Sequence, residues 1–242
     1  MRKLAILAGG ALMVSGSFAT ADILGVGASA SYWDSDLSGQ AEKSPDLVDV
    51  ENDLNLSSDG NVNVEAYFEH PVPILPNVRL NYTRIEQSGD GNLSTQFDGL
   101  TIGTSVRSDL ELTQLDGTLY YELLDNWVNL DAGLTVRSID GELLVQNTAG
   151  TQVFTEISGA FPMAYAAVRF DLPFTGVSVG AQGNLISYDG DSISDFNAYG
   201  QYELSLLQLR AGYRQMSIDY EDDNDRLDVE LGGPFISAGL TF

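Results

Sequence analysis

Cysteine is absent from this sequence of 242 residues, and histidine occurs once. The absence of cysteine excludes a disulfide scaffold, a thiol nucleophile and a cysteine-based metal site. No run of about 18 or more apolar residues follows the first 21 positions, which excludes a helical membrane protein. The fold therefore depends neither on disulfides nor on membrane-spanning helices.

Cations are scarce: 11 Lys and Arg stand against 35 Asp and Glu, a formal net charge of −24. A surface of this sign repels a polyphosphate, so a nucleic-acid-binding protein is excluded. The apolar content of 43%, with 10% aromatic residues, is too high for a disordered acidic chain. The composition indicates an ordered, β-rich protein.

The first 21 residues are typical of a signal peptide. Arg2 and Lys3 precede an apolar stretch over 4–14, and Ala19-Thr20-Ala21 supplies the small-x-small pattern of a cleavage site. We predict cleavage after Ala21 and a single mature domain over 22–242, and the alternative is an N-terminal core helix. Removal of Arg2 and Lys3 leaves nine cations against 35 carboxylates, a net charge of −26.

Beyond the leader, apolar residues recur with a period of two, which is typical of strands with two unlike faces. Ten such segments are predicted, at 24–32, 61–69, 78–83, 114–123, 128–137, 164–171, 177–185, 195–204, 207–214 and 236–242. Short connections at 70–76, 124–126, 172–175 and 205–206 alternate with longer ones at 35–60, 89–109 and 140–162 and acidic tips near 189–191 and 221–226.

Alternating short and long connections indicate an all-β fold, a transmembrane up-and-down antiparallel β-barrel. The count is about ten strands, with eight or twelve as alternatives. A secreted β-sandwich is the alternative fold, because it also alternates apolar and polar residues. Small apolar residues occupy one face throughout and charged residues the other, and this contrast favours the barrel.

Three segments depart from the simple pattern. The apolar parity changes across Gly232-Gly233-Pro234, which predicts a β-bulge there. The segment 97–106 is β-prone and is expected to extend a hairpin above the membrane. Helical spacing of Leu47, Val50 and Leu54 makes 44–56 a candidate helix.

Aromatic residues near the predicted strand ends suggest the girdles that flank the apolar band of a membrane barrel. These are Tyr32, Trp33, Tyr82, Trp127, Phe170, Phe174 and Phe242.

Three turn motifs are distinctive: Glu69-His70-Pro71-Val72-Pro73 with Pro76-Asn77-Val78, Leu119-Tyr120-Tyr121-Glu122-Leu123-Leu124-Asp125 and Asp171-Leu172-Pro173-Phe174-Thr175-Gly176. They resemble the turn motifs of an uncharacterised family of small proteobacterial outer-membrane β-barrel proteins. The terminal Gly239-Leu240-Thr241-Phe242 resembles the signal that the outer-membrane assembly machinery reads, with Leu240 and Phe242 as its key residues. The resemblance implies a barrel in the outer membrane of a Gram-negative bacterium, reached through the periplasm, and implies no activity.

Strand parity directs a set of charges toward the barrel lumen. The set is Arg79, Arg137, Arg169, Arg210, Arg214, Glu65, Asp116, Glu122, Asp131 and Glu203. Paired charges in a narrow lumen avoid the cost of burying one alone, so a structural network is the first interpretation. A polar eyelet that passes small hydrophilic solutes is the second. A ten-stranded barrel is narrow enough for side chains such as Tyr120, Tyr165 and Tyr199 to close it.

Catalysis has little support in the sequence. The single histidine, His70, lies in a Pro-rich short turn, where we expect a turn or capping role, and we predict a non-enzyme without cofactors. The acidic tip with Glu221, Asp222, Asp223 and Asp225, and the carboxylates Asp46, Asp49, Glu51 and Asp53, lack calcium-loop spacing. A solvated surface is expected there, with weak Ca²⁺ or Mg²⁺ capture as the alternative.

The sequence therefore favours a monomeric barrel with a structural or accessory envelope role and a largely plugged, charged lumen. A narrow porin-like channel for small solutes is the alternative, and a lipid-modifying hydrolase is a third hypothesis. The expected partners are outer-membrane lipid and lipopolysaccharide and the assembly machinery.

Overall fold

The computed structural model describes residues 24–43, 46–58, 60–97, 99–222 and 225–242. The predicted signal peptide and its cleavage site lie outside the described residues.

Thirteen β-segments and one π-helical turn make up the described chain. They are β1 (Gly25–Trp33), β2 (Asp36–Lys43), β3 (Asp46–Asp49), the π-turn (Val50–Leu54), β4 (Ser57–Ser58), β5 (Asn61–Glu69), β6 (Asn77–Asn92), β7 (Ser105–Asp125), β8 (Val128–Asn147), β9 (Gln152–Leu172), β10 (Val177–Tyr188), β11 (Asp191–Leu204), β12 (Leu207–Asp222) and β13 (Asp225–Thr241).

Ten strands close into a ring. From β5 to β13 each strand pairs antiparallel with the next along the chain, and β1 pairs with both β5 and β13. β2 continues β1 beyond Asp34 and Ser35 and pairs with the upper half of β13. The predicted up-and-down antiparallel barrel of ten strands is confirmed, and no sheet edge is left open in the ring.

The two ends of the barrel differ. At the short-turn end, neighbouring strands are joined through 70–76, 126–127, 173–176 and 205–206. At the loop end the predicted long connections are wrong in extent, because 140–162 is almost entirely strand and only 148–151 joins β8 to β9. The connection 89–109 likewise shrinks to 93–104.

The long strands extend well beyond a membrane. β7 and β9 have 21 residues each. At about 3.3 Å per residue and a tilt of roughly 40°, such a strand spans on the order of 50 Å, about twice the ~25 Å apolar band of a membrane barrel.

The outer wall is apolar in the half nearest the short turns. Leu80, Leu119, Leu134, Val179 and Leu209 all face outward with large exposed side chains. Among the described residues no helix is long and apolar enough to cross a membrane. In a barrel of this fold, an exposed apolar band on the outer wall is the surface that faces lipid.

Above this band the apolar side chains change to the inner face without any break in the strand. On β13, Val229 and Leu231 are buried inside, whereas Ile236 faces outward. The pairing of β13 keeps one register from Gly232 opposite Asp36 to Phe235 opposite Trp33. The predicted bulge at Gly232-Gly233-Pro234 is therefore wrong, and the parity change marks the passage from lipid into water.

The inward apolar side chains form a core inside the loop end of the barrel. It contains Trp33, Leu37, Val48, Val50, Leu54, Leu56, Ile85, Leu93, Phe97, Leu100, Val106, Leu110, Leu112, Ile139, Val145, Val153, Met216, Val229 and Leu231. Trp33 is 1% exposed and its indole N–H donates to the Gly233 carbonyl at 3.2 Å. Its predicted place in an aromatic girdle is wrong, because its parity is inward.

The segment 46–58 contributes to this core at the loop end: β3 and β4 pair with β2 and β6 as part of the sheet, and the π-turn between them packs inward. Its centre is the π-turn rather than the predicted helix over 44–56. The backbone of the turn lies against two inward glycines of β6, such that an added Cβ at Gly91 would come within 1.9 Å of the Asp53 carbonyl oxygen. The second connection folds inward too: Phe97 and Leu100 pair with each other and are buried, and β7 starts only at Ser105.

Polar contacts fix the π-turn. The Asp49 carboxylate accepts hydrogen bonds from the backbone N–H groups of Asn52 and Glu51. The hydrogen bond from Asn52 holds the pKa of Asp49 below its usual 3.8. The buried Asp53 carboxylate accepts the N–H groups of Asp49 at 3.1 Å and Ser94 at 2.9 Å. Asp53 therefore ties two connections together rather than forming part of a solvated acidic loop.

We predict that Gly91→Ala destabilises the folded barrel, because its methyl group would force the π-turn away from β6. Overpacking of this kind costs roughly 1–3 kcal/mol. Urea unfolding of the detergent-solubilised protein, followed by tryptophan fluorescence, measures the change. The matched control is Gly117→Ala on β7, where nothing lies within 4 Å of an added Cβ; equal unfolding midpoints for the two variants would contradict the packing argument.

Candidate functional site

A layer of four charged side chains crosses the lumen beneath the apolar core. The Asp195 carboxylate accepts hydrogen bonds from Arg137 at 2.6 Å and from Arg214 at 2.7 and 2.9 Å. Arg137 also makes a bidentate pair with Asp116, at 2.7 and 2.8 Å. All four side chains are buried in the lumen.

The strand pairing places these groups together. Asp116 and Arg137 are direct cross-strand partners on β7 and β8. Asp195 on β11 and Arg214 on β12 lie two positions out of register on the neighbouring pair of strands. Both pairs have inward parity, so closure of the barrel brings them face to face.

The layer is electrically balanced, with two guanidinium groups and two carboxylates. Burying such charges is costly unless the geometry is good and the remaining hydrogen bonds are made. Here each carboxylate accepts at least two charge-assisted hydrogen bonds, the strongest kind available. The layer therefore fills the lumen with ion pairs, and their hydrogen bonds hold all four side chains in place.

Asp195 was absent from the charge set predicted from the sequence, although it is the common partner of both arginines. Asp195 has the same inward parity as Asn197 and Tyr199 on β11, so the alternation of the strand alone identifies it as a lumen residue. The sequence does not predict the ion pair of Asp195 with Arg137, because two strands separate β8 from β11 in the ring.

A second polar tier lies nearer the short turns. Arg210 lies 3.6 Å from Glu65 and stacks over the Tyr199 ring at 4.8 Å. Arg79 donates to the Tyr165 hydroxyl and to Gln182, the latter at 3.2 Å. A cavity of only about 60 Å³ separates this tier from the charged layer, lined by residues of both. Tyr120, Tyr165 and Tyr199 are all buried inside the barrel.

A larger cavity of about 370 Å³ opens at the short-turn end. Five predicted lumen charges (Arg79, Glu122, Asp131, Arg169 and Glu203) line this cavity and not the smaller one, whereas Arg210 lines both. Glu69 and Asp125 line it as well and were not in the predicted set. The ten predicted residues thus divide between a filled central lumen and an open vestibule.

His70 lies in the first short turn and is used by that turn. Its ring accepts the Val72 N–H at 3.3 Å through Nδ1, and its Nε2 lies 3.2 Å from the Pro76 carbonyl. No hydrogen bond to Ser, Thr, Asp or Glu is made by this ring within the described chain. The polar contacts of the His70 ring are therefore made within its own turn.

The acidic tip between β12 and β13 is only partly described, because Asp223 lies outside the described residues. Glu221 donates its backbone N–H to Asp191. Across the parts of the chain that are described, no three Asp, Glu or His side chains are grouped so as to hold a metal ion.

A row of carboxylates runs around the outer wall above the apolar band. Glu86, Glu111, Glu142 and Glu156 are successive cross-strand partners on β6 to β9. Arg84 lies 2.7 Å from the first and 3.7 Å from the second. Like charges placed directly opposite destabilise a sheet, so this row is compatible only with a wet surface.

The last strand completes the ring at its foot. Phe242 and Val26 exchange backbone hydrogen bonds at 2.8 and 3.1 Å, and Leu240 faces outward in the apolar band. These are the two residues predicted as the assembly signal.

Comparison with solved structures returns membrane barrels of limited similarity. Ail, the attachment invasion locus protein of Yersinia pestis solved with sucrose octasulfate, is 10% identical with a TM-score of 0.41, covering 91% of this chain and 100% of that one. The translocator domain of the autotransporter NalP from Neisseria meningitidis is 12% identical with a TM-score of 0.42, covering 92% and 90%. The P. putida toluene transporter TodX is 10% identical with a TM-score of 0.33, covering 92% and 90%.

These neighbours are outer-membrane β-barrel proteins, and at such scores they carry no argument about function. No protein-family model and no curated protein matches the sequence. The resemblance to one proteobacterial family therefore stays a prediction.

We predict that Asp195→Asn strongly destabilises the barrel, because it leaves Arg137 and Arg214 buried with one carboxylate between them. Removing one partner of a buried ion pair costs about 3–5 kcal/mol. The matched control is Asp109→Asn, whose pair with Arg107 at 3.4 Å is largely exposed and contributes about 0–1 kcal/mol. Urea unfolding in detergent compares the two; similar losses would show that the buried layer is not a source of stability.

Proposed function

We propose that the protein is an integral outer-membrane barrel with a closed lumen and a structural or accessory role in the envelope. The short turns face the periplasm and the long strand extensions stand outside the cell, as in other barrels of this membrane. Export through the periplasm follows from this location. Its partners are outer-membrane lipid, lipopolysaccharide and the barrel assembly machinery, and the chain acts as a monomer.

The observation that carries this proposal is the presence of two different barriers in series along the lumen. The apolar core with the segment 46–58 excludes water at the loop end. The layer around Asp195 then fills the centre with paired side chains that have no free charge to offer a passing ion. A solute would have to displace both, and each is stabilised by a different interaction.

A channel requires a continuous polar path, and the described interior contains none through the apolar core. A hydrolase requires a general base beside a nucleophile. The His70 ring is engaged by its own turn and makes no hydrogen bond to a hydroxyl or carboxylate of the described residues, which supports a non-enzyme. We therefore retain the closed barrel as the proposed state.

We predict that the refolded mature protein produces no steady, discrete openings in a planar bilayer. A variant in which 46–58 is replaced by a Gly-Ser linker should also stay silent, because the charged layer is still present. Adding Arg137→Ser, Asp195→Ser and Arg214→Ser to that variant should produce openings.

A mobility shift on heating verifies that each variant is a folded barrel before recording, and a general porin under the same conditions is the positive control. Discrete openings in the unaltered protein would overturn the closed barrel and favour the narrow channel.

A further inference from the structure

The vestibule at the short-turn end has the dimensions of a ligand site. Its volume of about 370 Å³ falls in the range of roughly 300–1,000 Å³ that small-molecule sites occupy. Carboxylates, guanidinium groups, amides and the ring of Tyr67 line it. The lining is too polar for an apolar ligand and carries both signs of charge.

The positive group of interest is Arg79, at the inner end of the vestibule. Its guanidinium donates to the Tyr165 hydroxyl and the Gln182 side chain, and it lies 4.9 Å from the centre of the Tyr120 ring. No carboxylate of the described chain lies within ion-pair distance of it, and its buried Nε has no hydrogen-bond partner. A buried cation in this state is expected to bind an anionic group.

The negative groups of interest are Asp131 and Glu122, which are cross-strand partners on β8 and β7. Glu122 accepts one hydrogen bond, from the Asn77 amide at 3.1 Å. No Arg, Lys or His nitrogen of the described residues forms an ion pair with either carboxylate. Two like charges held opposite each other destabilise the sheet unless a cation neutralises them.

The other arginines of the vestibule already have partners. Arg169 pairs with Asp171 at 3.0 Å, and Arg210 reaches Glu65 at 3.6 Å while donating to Gln201 at 2.6 Å. One guanidinium and one pair of carboxylates are left without a direct ion pair among the described residues; they face the same cavity and lie more than 4 Å apart.

We propose that this vestibule binds a small zwitterion of the size of an amino acid or a dipeptide; that the ligand comes from the periplasm rests on the proposed function and its orientation. The carboxylate of the ligand binds Arg79, and its ammonium group binds between Asp131 and Glu122. Such a ligand gives a direct ion pair to the guanidinium and to the carboxylates at once, which neither a simple cation nor a simple anion does. The site lies below the charged layer, so its occupancy does not depend on whether the barrel conducts.

The test uses isothermal titration of the full mature protein in detergent micelles at pH 7 with three probes. These are L-alanyl-L-alanine, its N-acetylated form and its C-terminal amide. The free dipeptide should bind saturably at one site. Each blocked form should bind at least about tenfold more weakly, a difference of about 1.4 kcal/mol, because each loses one charge-assisted contact.

Variants assign the two ends of the ligand. Asp131→Asn should weaken the free dipeptide about tenfold and leave the N-acetylated form unaffected, since that form has no ammonium group. Arg79→Gln should show the opposite selectivity and spare the amide. Arg107→Gln, on the exposed outer wall, is the control and should leave all three titrations unchanged.

Asp131→Asn alone suffices if Arg79→Gln fails to fold on the heat-mobility gel, because the Asp131 carboxylate makes no side-chain hydrogen bond within the described structure. No saturable heat with the free dipeptide would overturn the proposal. Equal binding of the three probes, or an Asp131→Asn protein with unchanged affinity for the free dipeptide, would overturn it as well.

Discussion

Each long strand of this barrel passes from lipid into water, and that change of surroundings determines what every side chain on it must do. In the lipid-facing half, apolar residues such as Leu119 point outward and polar ones such as Asp116 point inward. In the outer half the arrangement reverses, with Leu110 and Leu112 inside and Glu111 outside. The backbone hydrogen bonds continue unbroken through the change. One sheet therefore serves as a membrane barrel below and as an ordinary β-barrel with an apolar core above.

The interior consequently contains two kinds of packing that meet at Trp33. Above it, apolar side chains and the segment 46–58 are held by the hydrophobic effect, because the outer surroundings are water. Below it, the lumen cannot gain by burying apolar groups that lipid would accept equally well, and it is filled by ion pairs. Arg214 marks the boundary: its guanidinium stacks over the Trp33 ring at 4.7 Å and pairs with Asp195. A chain with few cations thus places five arginines along its lumen.

The sequence alone predicts the membrane half well, because lipid outside and polar groups inside give a clear period of two. It predicts neither the upper half nor the interior contacts. Leu227, Val229 and Leu231 have the opposite parity to Ile236, and a pattern cannot distinguish a change of solvent from a change of register. The prediction that Trp33 lies in an aromatic girdle is wrong for the same reason. The position of 46–58 depends on the backbone of β6 at Gly89 and Gly91, which is distant in sequence, and Asp195 meets Arg137 only across the closed ring.

The placement of the segment 46–58 has a consequence for the order of assembly. This segment comes early in the chain, between β2 and β5, yet its buried residues pack into the core of a ring that only the final strand closes. The ion pairs likewise join residues of β7, β8, β11 and β12. Interior packing and ring closure therefore belong to one cooperative event rather than to successive stages. Since these contacts join distant parts of the chain, the rate of that event is limited by loop-closure entropy. The barrel is expected to fold slowly and to mature as a single unit.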